Sequence, residues 1–277
     1  MSTHLVTGFP GFIGRRLVAT LLEREPDDRI IALAEPRMLA AARDAALAID
    51  GGPRIEVLVR LITTPISLIV YRTREIEVDN VPASGPAILA ANHFSNFDHF
   101  LAGAWLRRKI RFMAKSQMFR QNRILDLIYK YGGVFPIRRG HADETAFETV
   151  DAILERGGCV MIYCEGGRSR TGALGEAKPG VGRAALQSGV PVVPVAIHGS
   201  QGIRGWRKLR FPKITIRYGK PISFDVVPAP TREQQLGCAQ EIFSHVREMY
   251  EELDRDGRAA VIKRVRAAKG STAPRYS

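Results

Sequence analysis

The chain has 277 residues, 45% hydrophobic and 25% charged, values that leave material for a sizeable core and exclude a disordered or fibrous protein. Lysine and arginine outnumber acidic residues 41 to 28, a net charge of +13, which favours an anionic partner: nucleic acid, acidic lipid or a phosphorylated substrate. The three cysteines, Cys159, Cys164 and Cys238, have no paired spacing, which argues against a disulfide framework or a zinc site and fits a reducing cytosol.

Residues 1–59 read as strand His4–Thr7, helix Phe12–Arg24, strand Arg29–Ala34, an alanine-rich helix Met38–Ile49 and strand Arg54–Val59. Strands alternating with helices imply parallel βαβ units. No basic n-region precedes an apolar run, so no signal peptide is expected. The first turn, Gly8-Phe-Pro-Gly11-Phe-Ile-Gly14, follows a strand and opens a helix, and Glu35 ends the next strand. Glycines in that context let the backbone approach a pyrophosphate at a helix N-terminus. With Leu5-Val-Thr-Gly ahead and Arg15-Arg-Leu-Val behind, the segment resembles the opening of an extended short-chain dehydrogenase. That resemblance implies NAD(P) binding at Gly8, Gly11, Gly14 and Glu35. It stops after about sixty residues, and none of the seven tyrosines has the lysine four residues on that the family's catalysis uses. The expectation for 1–59 is therefore a truncated Rossmann-like βαβαβ segment serving as a scaffold.

A second domain is expected over 60–277. Its apolar run Leu61–Tyr71 is 11 residues long and contains Pro65, too short for the roughly 20 residues of a spanning helix and suited to an interfacial one over Leu61–Arg72. A strand at Glu75–Val78, a loop Pro82–Pro86 and a strand Ala87–Ala91 lead to His93, and a helix follows over Phe97–Arg107. A helical stretch Arg120–Tyr131 precedes Gly133-Val-Phe-Pro-Ile-Arg-Arg-Gly140, and a long helix spans Glu144–Arg156. The strand Cys159–Tyr163 feeds Cys164-Glu-Gly-Gly-Arg-Ser-Arg-Thr-Gly172, and a short helix covers Val181–Ser188. Strands Val192–Ile197 and Ile214–Tyr218 close the sheet. A helix over Thr231–Leu253 and a basic helix over Arg258–Lys269 complete the chain.

Two stretches carry chemistry. His93 and Asp98 are five residues apart, about 140° around a continuous helix, and could not meet on one. They meet if His93 lies in a loop and Asp98 in the first helical turn, with Ser95 or Asn96 capping, where an acid suits the positive helix end. Asp98 would then fix one ring N–H of His93 and free the other nitrogen to take a hydroxyl proton; a capping Asp beside an unrelated His is the plainer alternative. The second stretch, Glu165 to Gly172, follows an apolar strand, where ligand loops of α/β sheets gather. Arg168 and Arg170 among small residues permit bidentate phosphate contacts with close backbone approach. Arg138 and Arg139, after the apolar Val134–Ile137, add a third basic point, and Lys178 a fourth. His99, His141 and His198 stand alone and read as structural or solvated. The chemistry needs no metal.

Taken in order, Asn92–Asp98, Gly133–Arg139, Glu165–Ser169 and Val190–Val195 resemble four blocks of the glycerolipid acyltransferase family. The resemblance implies a mixed α/β sheet flanked by helices and transfer of a fatty acyl group from acyl-CoA or acyl carrier protein (acyl-ACP). The acceptor it implies is glycerol 3-phosphate or 1-acylglycerol 3-phosphate, in phospholipid biosynthesis, with no cofactor. His93 would be the general base and Asp98 its orienting partner. Arg139, Glu165, Gly166, Arg168, Ser169 and Arg170 would form the acceptor phosphate site, Glu165 holding the arginines rather than touching phosphate. Cys164 and Gly167 stand where lysophosphatidate-acylating members carry Pro and Thr, whereas the first block looks like that group.

From Arg204 to Lys220 there are seven Lys/Arg and no acid, with Trp206 and Phe211 interleaved. Basic plus aromatic residues suit an anionic bilayer surface, as does the Arg258–Lys269 helix. No nucleic-acid motif accompanies the charge, which sets nucleic acid aside. The reading is a cytoplasmic enzyme, peripheral on the inner face of the cell membrane. A nicotinamide-dependent reductase and a non-catalytic lipid-binding homologue are its competitors.

Overall fold

The computed structural model describes residues 3–7, 29–33, 64–103, 106, 108–115, 134–137, 143–169, 171–203 and 211–271. The chain divides into two compact units, Met1–Pro53 with Met113–Thr149, and Arg54–Phe112 with Val150–Ser277.

In the first unit, β1 (Thr3–Thr7) pairs in parallel with β2 (Arg29–Leu33), Thr3 opposite Arg29 and Thr7 opposite Leu33. Parallel neighbours require a crossover connection, the arrangement that the strand–helix–strand pattern expects. The expected helices Phe12–Arg24 and Met38–Ile49, the strand Arg54–Val59, and Gly8, Gly11, Gly14 and Glu35 lie outside the described residues.

The second unit is built on β3 (Arg74–Ile76), β4 (Ala87–Ala91), the start of β5 (Ile110–Lys115), β7 (Cys159–Tyr163), β8 (Val192–His198) and β9 (Thr215–Tyr218). Strand β6 (Val134–Ile137) belongs to the first unit. The six strands lie in the order β3-β9-β8-β4-β7-β5. Only the β8–β9 pair is antiparallel, so the sheet is mixed and parallel-dominated. Helices α1 (Asp98–Gly103), α3 (Pro179–Ser188), α4 (Arg232–Ser271) and the part of α2 (Asp143–Glu155) from Val150 on flank it, which makes the fold α/β as expected.

The central strands read as unbroken apolar runs because both faces are covered. All five residues of β4 are buried, as are the first four of β7 and the first six of β8. Connections leave the adjacent strands β4 and β7 in opposite directions. β4 feeds α1 and then β5 on one side; β7 feeds α3 and then β8 on the other. In open α/β sheets ligands settle in the crevice outside the carboxyl ends of such a strand pair.

Several expected elements change shape. Of the expected helix Leu61–Arg72, Ile66–Val70 forms one π-helical turn, closed by Tyr71 N–H donating to Ile66 O at 3.3 Å. Arg72 then turns the chain at φ +46°. The strand expected at Glu75–Val78 stops at Ile76, because Glu77 adopts the left-handed region at φ +62° and its carboxylate accepts from Arg217 Nε at 2.6 Å. Strand β5 had no expectation; Arg111 and Lys115 break its apolar pattern, and Arg111 is buried all the same. Helix α4 joins the two expected C-terminal helices through a bend at Gly257, φ +75°, a conformation that suits glycine. Beyond the bend Val261 packs with Leu253 and Ile76.

Gly182 sets the contact between α3 and α4. A Cβ there would sit 2.0 Å from Gln235 O and 2.8 Å from Ala239 N, so the helices touch where only a hydrogen fits. At the other end of the sheet, Tyr218 donates to Glu75 Oε1 at 2.9 Å. Burial pushes the Glu75 carboxyl up to about 8, against the hydrogen bond from Tyr218.

Two outcomes follow for stability. Gly182→Ala is expected to lose roughly 1–3 kcal/mol by overpacking, read as a lower urea midpoint. Because folded Glu75 keeps a proton that the unfolded chain releases above about pH 4.5, wild-type stability should fall as pH rises from there toward pH 8. Glu75→Gln should remove that slope and melt higher than wild type near pH 8; an advantage that does not grow with pH would mean Glu75 folds as a carboxylate.

Candidate active site

Strands β4 and β7 are in register with Ala91 opposite Tyr163. Both chains leave the sheet there together, with Cys164 N–H donating to Ala91 O at 2.8 Å. Two residues on, His93 and Glu165 are neighbours, and His93 N–H donates to Glu165 Oε2 at 3.3 Å. Ser169 N–H donates to His93 O at 2.9 Å. The two motifs thus form one surface at the carboxyl edge of the sheet.

His93 Nδ1 lies 2.8 Å from Asp98 Oδ2, the His side chain 13% exposed and the Asp 0%. Asp98 occupies the first turn of α1, and its Oδ2 also accepts the N–H groups of Phe94 and Ser95, each at 2.8 Å. Ser95 Oγ accepts Phe97 N–H at 3.3 Å, so the local fold is the loop followed by a capped helix that brings His93 and Asp98 together. An oxygen already accepting two N–H donors is an acceptor for the ring as well. Nδ1 therefore carries the proton and Nε2 presents its lone pair.

The ring is also held from below. Tyr163 stacks on it with centroids 3.8 Å apart and planes 12° from parallel. The Tyr163 hydroxyl is buried, and burial together with the Asp98 charge pushes its pKa well above the ordinary value. His99, buried next to Asp98, is pushed down to about 3 by burial and then by His93, so it stays neutral.

Glu165 has both oxygens on backbone donors, Oε2 on His93 N–H and Oε1 on Gly175 N–H at 2.7 Å. It braces the two ends of its loop against the His93 loop. Burial raises its pKa, opposed by those two hydrogen bonds and by the charges of His93 and Arg247. Arg247, on α4, donates to Gly175 O at 2.9 Å. The arginine beside Glu165 is thus a distant one in sequence. Gly166 takes φ +63° in the turn that Gly166 N–H closes on Tyr163 O at 3.0 Å. Ser169 Oγ accepts Gly172 N–H at 3.1 Å, and Arg168 is exposed beside it. Arg138, Arg139, His141 and Arg170 lie outside the described residues.

Three positioning side chains escaped the sequence reading. Asn92, fully buried, donates through Nδ2 to Ile197 O at 2.9 Å and accepts Ile197 N–H at 2.7 Å. It ties the end of β4 to β8 as a strand would. Its signal was a polar residue closing an apolar strand, and the same signal marks Tyr163. Arg247 has none, lying far along α4. His198, read as structural, is 3.2 Å from Asp254 on α4.

The family model described as Acyltransferase matches residues 72–198. A probable 1-acyl-sn-glycerol-3-phosphate acyltransferase of Mycoplasma genitalium is 29% identical over 136 residues, covering 45% of this chain and 48% of that protein. A chloroplastic 1-acyl-sn-glycerol-3-phosphate acyltransferase of Arabidopsis thaliana is 29% identical over 140 residues, covering 48% of this chain and 39% of that one. The matched stretch spans about half the length of these relatives or less. The crystal structure of the 1-acyl-sn-glycerophosphate acyltransferase PlsC from Thermotoga maritima superposes with a TM-score of 0.53 at 20% identity, covering 86% of this chain and 89% of that one, and shares the fold. The match to the Acyltransferase family model, residues 72–198, takes in both the His93–Asp98 pair and the Glu165 loop.

Proposed function

We propose that the protein transfers a fatty acyl group from a thioester donor, acyl-CoA or acyl-ACP, to the free hydroxyl of 1-acylglycerol 3-phosphate. The observation that carries this reading is the His93–Asp98 pair held in register beside the Glu165–Ser169 loop. The names of the relatives favour 1-acylglycerol 3-phosphate over glycerol 3-phosphate as acceptor.

In this mechanism His93 Nε2 takes the proton of the acceptor hydroxyl while Asp98 holds the developing imidazolium through Nδ1–H. The acceptor oxygen attacks the thioester carbonyl, forming a C–O bond and a tetrahedral oxyanion. Collapse breaks the C–S bond, and the departing thiolate takes the proton from His93. The new ester and the free thiol balance the reaction. The acceptor phosphate would lie against Arg168 and the Ser169 turn.

Membrane docking is part of the same reading. No helix among the described residues is long and apolar enough to cross a membrane. Instead, Ile66, Ile69, Phe97 and Phe211 are exposed, Ile69 to 77%. Tyr71 ties them into one patch, its ring 6.4 Å from those of both Phe97 and Phe211. Arg72 donates to Phe211 O, and Arg258 to Arg72 O, each at 2.8 Å. An apolar patch rimmed by arginines suits an anionic bilayer, and Phe97 is adjacent to Asp98. A lipid acceptor would thus enter from the membrane, on the cytoplasmic face.

Labelled palmitoyl-CoA offered with lysophosphatidate and, separately, with glycerol 3-phosphate tests the reaction. Labelled phosphatidate should form. His93→Ala should cut kcat by about 10²–10⁴-fold, and Asp98→Asn should lower kcat with little change in KM. Wild-type activity in His93→Ala would remove the general-base assignment. For docking, Ile69→Glu should lower co-sedimentation with phosphatidylglycerol vesicles and leave the melting temperature unchanged; undiminished binding would place the contact elsewhere.

A further inference from the structure

A cavity of about 480 Å³ opens between the loop that precedes α3 and the first half of α4. Small-molecule sites run from about 300 to 1,000 Å³, whereas one water needs about 30 Å³, so the space suits a molecule rather than an ion. Lys178, Arg232 and Arg247 line it, with Glu176 as the one acid. Among the described residues, none of these three cations has an ion-pair partner. The ten-residue helix α3 begins at Pro179 in the cavity wall, adding the positive end of its dipole. Leu236 and Phe243 supply an apolar side, and the Arg247 guanidinium carbon lies 5.2 Å from the Phe243 ring centroid.

The cavity is coupled to the catalytic loops by short links. Arg247 holds Gly175 O, Gly175 N–H holds Glu165, and Glu165 holds His93 N–H. Lys178 N–H donates to Cys164 O at 2.8 Å. A ligand here would touch the supports of the catalytic loops, at Lys178 and Arg247, without occupying the Arg168–Ser169 turn. Three cations suit a ligand with more than one anionic group, and the half-buried Leu236 with the Arg247 guanidinium plane over Phe243 offers a face for a planar base.

We propose that this cavity binds a phosphorylated nucleotide, the 3′-phospho-ADP end of a coenzyme A thioester. The proposal rests on the acyltransferase reading for the identity of the thioester; the cavity's chemistry alone points to a polyanion with a planar apolar part. Glycerol 3-phosphate shares the phosphate ester and lacks the base, so the two sources separate by experiment.

Titration calorimetry of the full chain with adenosine 3′,5′-bisphosphate, coenzyme A, glycerol 3-phosphate and inorganic phosphate tests it. Two variants accompany the wild type: Arg232→Glu, at the exposed first residue of α4, and Ser244→Trp, which fills the rim. The bisphosphate and coenzyme A should bind wild type and weaken at least about tenfold in both variants, whose melting temperatures stay near wild type. In turnover, Arg232→Glu should raise KM for palmitoyl-CoA by a similar factor and leave kcat and the acceptor KM unchanged. Equal nucleotide affinity in all three proteins would overturn the proposal, and so would a rise confined to the acceptor KM. The bisphosphate carries no acyl group, so the two readings fail separately. A chain that binds it here and transfers nothing refutes the acyltransferase reading alone. An active transferase that does not bind it refutes the cavity assignment alone.

Discussion

The parallel register between β4 and β7 is the constraint on which the rest of the site depends. Ala91 faces Tyr163, and the alignment continues past the strand ends so that His93 faces Glu165. Strand pairing brings segments far apart in sequence together, and the Glu165 carboxylate and the Tyr163 ring then fasten them at His93. Side chains alternate faces along a strand, so a slip of one residue would turn every group after it to the wrong side. Burial of β4 and β7 on both faces fixes the pairing, and the Asn92 bridge to Ile197 fixes β8 against the same edge.

Two carboxylates then do different work at one edge. Asp98 is fully buried and accepts from the ring and from two backbone N–H groups, which together hold it in place of water. Glu165 is less enclosed and holds backbone only, joining the His93 loop to Gly175 and, through Gly175, to α4. The first orients an imidazole. The second keeps two loops at a fixed distance. Tyr163 adds a flat surface beneath the imidazole and limits its tilt. The histidine is therefore constrained at its Nδ1 edge, on one ring face and at its backbone, leaving Nε2 as the unconstrained end.

Much of this was legible in the sequence, for local reasons. The strands β4, β7 and β8 announce themselves as apolar runs buried on both sides. The meeting of His93 and Asp98 follows from a cap at Ser95 and the impossibility of a continuous helix between them. What escaped depends on tertiary contact. Asn92 and Tyr163 each sit at the end of an apolar strand, and their partners, Ile197 and the His93 ring, are set only once the sheet assembles. Arg247 reads as one more charge on an amphipathic helix until α4 crosses the loop at Gly175. Strand β5 was hidden by Arg111, whose burial contradicts the usual exposure of arginine. The short strand β3 ends a residue or two early because Arg217, distant in sequence, pins Glu77.

The bend at Gly257 has a consequence for how the molecule meets its own copies. Among the described residues strand β3 has one sheet neighbour, β9, and an uncovered strand edge is a template for adding a foreign strand. By turning at Gly257, α4 brings Val261 against Ile76, with Ile262 and Val265 beside it, and sets Arg258 on the carbonyl of Arg72. The last turns of the helix therefore shield the short strand with apolar contact beneath and positive charge around it. At high local concentration open sheet edges invite aggregation. A single glycine that lets the helix bend keeps the apolar face of that edge strand covered by the chain itself.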